Sequence, residues 1–401
     1  MKILFVADVS IQDDLSGAER VLLEQTNWLA ARGHHVDIMT RRLAVHRSDC
    51  SVLGNVSEWR YRVNQKNAFS FFLTTLRNGK RLFEYLNNVN HYGCINFHQP
   101  FSAFAVACSK KSKPIRKIYT CHSLSFEEYV SRSAKPHSFM ARITTLLQRS
   151  VRKWIEKTAL EAADRVIVLS RFTRDKLLAT YHLPLEKMVI IPGGIDLNRF
   201  HPAADKSRVR DSLGLPRGKT ILLTVRGLEP RMGIDNLIRA MPDIVRALPD
   251  THLIIGGAGP LKDELIAMAR RLNLDHHIQF AGFIPEADLP RYYQATDLFV
   301  LPTIELEGFG LVTLEALASG TPVLGTPVGG TRDILGTFDR RFLFQDASPE
   351  SIAVGITEIC REYKNDAGKW QRDSRRCRQF VVETYSWEKN IDATERLFFE
   401  N

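Results

Sequence analysis

The sequence predicts an α/β protein built from two doubly wound domains. Three observations carry this. Short β-rich runs alternate with amphipathic helical stretches along the chain, the pattern of parallel strands covered by helices on both faces. The alternation occurs twice, on either side of a Gly- and Pro-rich stretch at Pro192 to Pro202, which reads as a linker. The length of 401 residues also exceeds what one core usually serves.

Element by element, strands are expected at Ile3–Ala7, Val36–Thr40, Ile95–His98, Lys117–Cys121, Val166–Ser170 and Val189–Ile191 in the first domain. The second domain repeats the pattern at Ile221–Val225, Leu253–Gly256, Ile278–Gly282, Leu298–Leu301 and Pro322–Gly325. The domains are expected at residues 1–195 and 196–384. From Ser138 to Thr158, residues Phe139, Ile143, Leu146, Leu147, Val151, Trp154 and Ile155 recur at helical spacing, bordered by Arg142, Arg149, Arg152 and Lys153. Such a stripe is read first as a helix packed on the core with a basic outer face, with a membrane-surface helix as the alternative. Residues 66–83 mix Phe69, Phe71, Phe72 and Phe83 with Arg77, Lys80 and Arg81 in the same way.

Composition narrows the class. Apolar content is 44% and charged content 25%, ordinary for a globular protein. No apolar run approaches the ~18 residues of a membrane span. Met1-Lys2 leads straight into a strand, so no signal peptide is expected. Six cysteines form no regular framework and no C-x-x-C pair, which fits reduced thiols in the cytoplasm. Charge is lopsided: residues 1–195 hold 29 Lys+Arg against 16 Asp+Glu, net +13, and the remainder is net −3. The first half therefore expects an anionic partner, such as a membrane surface or an anionic glycolipid, unless the charge is scattered for solubility. No nucleic-acid motif accompanies it.

The most informative stretch begins at Glu307-Gly308-Phe309-Gly310-Leu311 and runs to Glu315. A buried strand precedes it and a helix opens near Phe309 or Gly310. A helix start offers backbone N–H groups and the positive end of the dipole, and glycine permits close approach: together, a phosphate site. Carboxylates beside such a site need a purpose, and sugar or ribose hydroxyls supply it as donors. The bland alternative is a strand–loop–helix joint with solvated glutamates.

Two glutamates at this spacing resemble the E-x7-E signature of retaining glycosyltransferases of the group-one, family-four type, with the GT-B fold. Further pieces match in order: Ser16-Gly17-Ala18-Glu19-Arg20, Ala163-Asp164-Arg165-Val166-Ile167-Val168-Leu169-Ser170, Ile191-Pro192-Gly193-Gly194-Ile195-Asp196, Gly256-Gly257-Ala258-Gly259-Pro260 and Trp387 near the end. The resemblance implies two Rossmann-like domains facing across a crevice, the first binding the acceptor and the second the nucleotide sugar. It also implies that the last helix, residues 385–401, crosses back onto the first domain.

The resemblance assigns roles. Glu315 is expected at the ribose hydroxyls and Glu307 near the donor sugar and phosphates. Phe309, Gly310 and Leu311 are expected to offer N–H groups to the diphosphate, and Gly17 to allow close approach in the first loop. His122, after a strand of the first domain, is expected to hydrogen-bond a sugar hydroxyl, with His98 nearer the acceptor. One stretch departs from the pattern. The family typically reads V-G-R-L-x-P-x-K-G, whose Arg and Lys grip the diphosphate; here Gly227 and Met232 hold those positions, with Arg226 and Arg231 one residue earlier. This reads as a displaced clamp, or as a lost one.

The expected activity is transfer of a sugar from a nucleotide-diphosphate sugar to a glycan or lipid-linked acceptor, with retention and without a metal or other cofactor. No D-x-D triplet occurs. Cell-envelope glycolipid or polysaccharide assembly, in the cytoplasm or peripheral on the inner face of the membrane, is the setting implied by association. A nucleotide-sugar hydrolase, a sugar phosphorylase, or a catalytically silent scaffold remain as alternatives.

Overall fold

The computed structural model describes residues 1–12, 17–43, 48–132, 139–366 and 368–400. They form two compact units, Met1–Gly194 with Trp387–Asn401, and Ile195–Ser386.

The first unit is an eight-stranded sheet. Its strands are β1 (Lys2–Val6), β2 (His35–Arg42), β3 (Cys50–Leu53), β4 (Val56–Arg62), β5 (Cys94–Phe97), β6 (Arg116–Cys121), β7 (Arg165–Val168) and β8 (Met188–Ile190). Their order is β3-β4-β2-β1-β5-β6-β7-β8, and every pairing is parallel except the β3–β4 hairpin. The chain moves outward from β1 to β2, then returns to β5 on the other side. Crossovers therefore diverge at the carboxyl ends of β1 and β5, the usual place for ligands in such a sheet.

β3 and β4 are absent from the sequence-based expectation, for a physical reason. β4 reads Val56-Ser57-Glu58-Trp59-Arg60-Tyr61-Arg62, with charges at alternate positions, yet Glu58 and Arg60 are buried. They pair with each other, and Thr40 donates to Glu58 at 2.8 Å. A charge pair satisfied inside a sheet imitates a solvent-facing strand.

The terminal helix Trp387–Phe399 belongs to this unit. Ile391, Leu397 and Phe398 join the core formed by Ile3, Phe5, Leu22 and Leu29. Gln25 donates to Asn390 at 3.1 Å, and Asn390 donates to the Pro192 carbonyl at 2.6 Å. Gly194 lies under this helix: a Cβ there would meet Trp387 Cδ2 at 2.6 Å.

The helix expected at Ser138–Thr158 runs over Phe139–Ala162. Its apolar stripe does not face the core. Ile155 is buried, but Ile143, Leu146, Leu147, Val151 and Trp154 are exposed.

The second unit has a five-stranded parallel sheet of β9 (Thr220–Val225), β10 (Thr251–Gly256), β11 (Ile278–Gly282), β12 (Leu298–Leu301) and β13 (Val323–Gly325), ordered β11-β10-β9-β12-β13. Leu222, Leu223, Ile254, Phe299 and Val300 are fully buried between helices. Here the switch point lies between β9 and β12, at Val225 and Leu301.

A candidate donor site at the β9/β12 switch point

Two loops leave the switch point of the second unit and converge. From β9, the chain passes Arg226 and enters a 3-10 turn at Pro230–Met232, capped by Gly233 at φ 68°. From β12, it passes Glu305 to Gly310 and enters the helix Leu311–Ala318. Glycines set how closely these backbones approach. Gly257, at φ 130°, lies against the Arg226 carbonyl: a Cβ there would sit 1.8 Å from that oxygen. A Cβ on Gly329 would sit 1.9 Å from the Glu307 carbonyl oxygen, and Gly330 N donates to that carbonyl at 3.0 Å. The 305–310 loop is thus seated on the start of the helix Gly329–Phe338.

The helix Leu311–Ala318 begins after Gly310, which adopts φ 93°, and among the described residues no side chain caps it. Thr313 N donates back to the Gly310 carbonyl at 2.9 Å, and the N–H groups of Leu311 and Val312 have no acceptor within the helix. Phe309, expected at or beside the helix start, precedes it by two residues; its ring is buried and lies 6.1 Å from Tyr385. Leu311 is the first helical residue.

The two arginines of the displaced-clamp expectation both reach the 305–310 loop, by different routes. Arg226 donates through Nη2 to the Glu307 carboxylate and, at 3.0 Å, to Met232 Sδ. Both charged side chains are nearly covered, at 6% and 11% exposed. Arg226 Nε is buried without a protein partner among the described residues. Arg231 donates to the Leu306 carbonyl at 3.0 Å and to Glu229 at 3.1 Å. Each guanidinium is therefore matched by a carboxylate, a pairing that the spacing of five did not reveal. Met232 stands where the family places a lysine, and in this chain its sulfur accepts from Arg226.

Glu315, expected at the ribose hydroxyls, has a protein partner. It is fully buried in the helix Leu311–Ala318, and the Tyr293 hydroxyl donates to it at 2.8 Å. Tyr293 is itself buried, with its ring against Phe299 at 5.1 Å. Sequence reasoning missed this tyrosine, which lies 22 residues upstream and carries no motif.

In the first unit, the strand-end histidines meet. His98 follows β5 and His122 follows β6, and His98 Nδ1 lies 3.0 Å from His122 Nε2. Burial pushes His122 down to about 4, and burial with the neighbouring ring pushes His98 well below its ordinary value. Both are neutral at pH 7, so one proton occupies the bond between them. His98 Nε2 is buried with no protein partner among the described residues. The tautomers are coupled: if His98 donates from Nδ1, its Nε2 is an acceptor and His122 Nδ1 carries a hydrogen. Sequence reasoning assigned each histidine a separate role and did not predict the pair.

Beside them, Gln99 accepts from the Asp8 and Val9 N–H groups at 2.6 and 3.0 Å and donates to Glu19 at 2.9 Å. This ties the end of β1 to the helix Gly17–Ala31, whose first residue is Gly17. Ser16 lies outside the described residues. Among the described residues, no three His, Cys, Asp or Glu side chains are grouped to hold a metal ion.

The model of glycosyl transferases group 1 matches residues 205–376, and that of glycosyltransferase family 4 matches residues 15–199. A 237-residue stretch is 30% identical to an uncharacterised glycosyltransferase of Methanocaldococcus jannaschii, covering 58% of this chain and 59% of that protein. A 187-residue stretch is 36% identical to the GDP-mannose-dependent alpha-(1-6)-phosphatidylinositol monomannoside mannosyltransferase of Mycolicibacterium smegmatis, covering 44% of this chain and 48% of that one. The chain thus spans about half to three-fifths of the length of these two relatives. Sucrose-phosphate synthase of Thermosynechococcus elongatus superposes with a TM-score of 0.80 over 99% of this chain and 98% of its own, at 24% identity, a likeness of fold. With two doubly wound units and a family model matching in each, the chain belongs to the group-1 glycosyltransferases of GT-B fold.

Proposed function

We propose that the protein transfers a sugar from a nucleotide-diphosphate sugar to a glycan or lipid-linked acceptor, with retention at the anomeric carbon and no metal. The observation that carries this is the convergence of Arg226, Arg231, Glu307 and the uncapped helix start at Leu311 on one switch point. Diphosphate binds the helix start and draws on the two arginines. Glu307 accepts from hydroxyls of the donor sugar, and Glu315, which accepts from Tyr293 at one oxygen, accepts from the ribose hydroxyls as well. As the sugar departs, negative charge grows on the diphosphate, and cations held nearby stabilise that change. His122 donates to or accepts from a sugar hydroxyl, with its tautomer set through His98. The GDP-mannose dependence of the mycobacterial relative supports a nucleotide sugar. Cell-envelope glycolipid or polysaccharide assembly in the cytoplasm is the setting we favour.

A silent scaffold is the second reading. It is favoured by one fact: both arginines already have carboxylate partners. The experiment is a thermal-shift screen of UDP-, GDP- and ADP-sugars, followed by release of nucleoside diphosphate with and without acceptor glycans. One nucleotide class should raise the melting temperature, and release should require acceptor. Release driven by water or phosphate makes the protein a hydrolase or phosphorylase. No shift and no release with any donor makes it a scaffold.

A further inference from the structure

The first unit carries an apolar surface that the transfer reading leaves unused. On the helix Phe139–Ala162, Ile143, Leu146, Leu147, Val151 and Trp154 recur at helical spacing on one face, and that face is open: Leu146 is 60% and Leu147 64% exposed. The opposite side holds the buried Ile155, Ala159 and Leu160. The helix Ala68–Asn90 adds Phe69, 74% exposed, and Leu73. Phe104 links the two helices, its ring 5.8 Å from Phe72 and 5.0 Å from Trp154.

Every charged residue within residues 129–155 and 59–83 is basic. No Asp or Glu occurs between Glu128 and Glu156, or between Glu58 and Glu84. Arg142, Arg149, Lys153 and Arg77 are exposed. Aromatic rings hold several of these bases: Arg149 over Phe126 at 5.5 Å, and Arg152 over Tyr129 at 4.2 Å and Phe101 at 5.1 Å. None of the described helices is long and apolar enough to cross a membrane, so this is a surface and not a span.

We infer that this face docks on an anionic phospholipid bilayer, with Leu146, Leu147, Trp154 and Phe69 among the acyl chains and the arginines and lysines at the phosphates. Apolar stripe and basic border are what an interfacial helix presents, and a bilayer meets both at once. A second copy fits poorly. In a twofold contact each patch meets its own image, which would bring Arg142, Arg149 and Lys153 against like charges. The inference goes beyond the transfer reading and needs neither donor nor acceptor, so either can fail without the other.

The test is co-sedimentation of the full chain with vesicles of phosphatidylglycerol and phosphatidylcholine, against pure phosphatidylcholine, at low and high salt. Binding should favour the anionic vesicles and weaken with salt. Leu146→Gln with Leu147→Gln should lower partitioning about tenfold or more, since buried apolar area and charge both set the affinity. Arg142→Gln with Arg149→Gln should do likewise. Both double variants alter exposed side chains, so their melting temperatures should stay near wild type, which separates lost docking from lost folding. Equal partitioning onto neutral vesicles, or none onto either, overturns the inference. So does wild-type partitioning by the leucine variant, which would leave charge alone at work. A dimer dispersed by the leucine variant, without vesicle binding by the wild type, would assign the face to a second copy.

Discussion

The Arg226 guanidinium donates to the Glu307 carboxylate, joining the end of β9 to the loop after β12 within the second unit. Both are nearly buried, so each depends on the other. Removing one partner of a buried pair leaves an uncompensated charge and typically costs about 3–5 kcal/mol.

Arg226→Ala should therefore lower stability by about 3 kcal/mol, and Arg226→Ala with Glu307→Ala should recover part of that loss. Equilibrium unfolding of the two single variants and the double variant measures the coupling. Additive losses would show that the pair is not an energetic unit.

Much of this arrangement was legible in the sequence. Strand–helix alternation marked both sheets because parallel strands are apolar throughout, and glycines marked where loops approach. Glu307, Arg226 and Arg231 stood out by spacing. The partners were not legible. Glu315 meets Tyr293, and His98 meets His122, through contacts between separate elements that no local pattern records. The stripe at residues 143–154 showed the opposite limit: periodicity reveals that a face exists, but not whether core or solvent lies against it. β4 escaped because the alternating charges of its buried Glu58–Arg60 pair look like side chains that face water.

Glu315 separates packing from ligand contact. Glu315→Ala leaves the Tyr293 hydroxyl buried without this acceptor and should cost roughly 1–3 kcal/mol of stability. Glu315→Gln keeps an acceptor oxygen and should remain near wild-type stability. If the carboxylate also binds ribose, Glu315→Gln should still lose donor affinity about tenfold, since bonds to charged groups contribute roughly 1.5–3 kcal/mol. Titration calorimetry with the nucleotide that scores in the screen reads this; unchanged affinity confines Glu315 to packing.

The histidine pair predicts a pH dependence of stability. His122 titrates near 4 in the folded chain and near 6.5 unfolded. Between these values the unfolded chain binds more protons, so stability rises with pH and is lost as pH falls through the window. The contribution is about 3 kcal/mol, from 1.36 kcal/mol per pKa unit. Melting temperature followed from pH 4 to 7 should climb less steeply in His122→Gln. Parallel curves would mean that His122 is not held neutral by the fold.

Transfer should proceed in EDTA. On the proposed reading the diphosphate meets a helix start and two arginines, and the chain contains no D-x-D triplet. Nucleoside diphosphate release measured with and without chelator decides it. Loss of activity in EDTA, restored by magnesium or manganese, would overturn the metal-free proposal.

The departure at residues 226–232 yields the sharpest test. Arg231 also anchors the Leu306 carbonyl, so Arg231→Ala should lower kcat steeply, about 10²–10³-fold if it stabilises the departing diphosphate, and donor binding less. Restoring the family's lysine alone should not help. Met232 is 8% exposed and its sulfur accepts from Arg226, so Met232→Lys would bury an ammonium beside a guanidinium, a like-charge contact in a poorly solvated place. That variant should lose both stability and turnover. The family's pattern should work as a set: Arg226→Gly, Gly227→Arg and Met232→Lys together. Gly227 has room for a side chain, since a Cβ there meets nothing closer than 4.0 Å. The triple variant should exceed Met232→Lys in both stability and kcat. If Met232→Lys alone matches wild type, Arg226 is not the cation that replaced the family's pair. If the triple variant is no better than Met232→Lys, the two patterns do not serve the same phosphate.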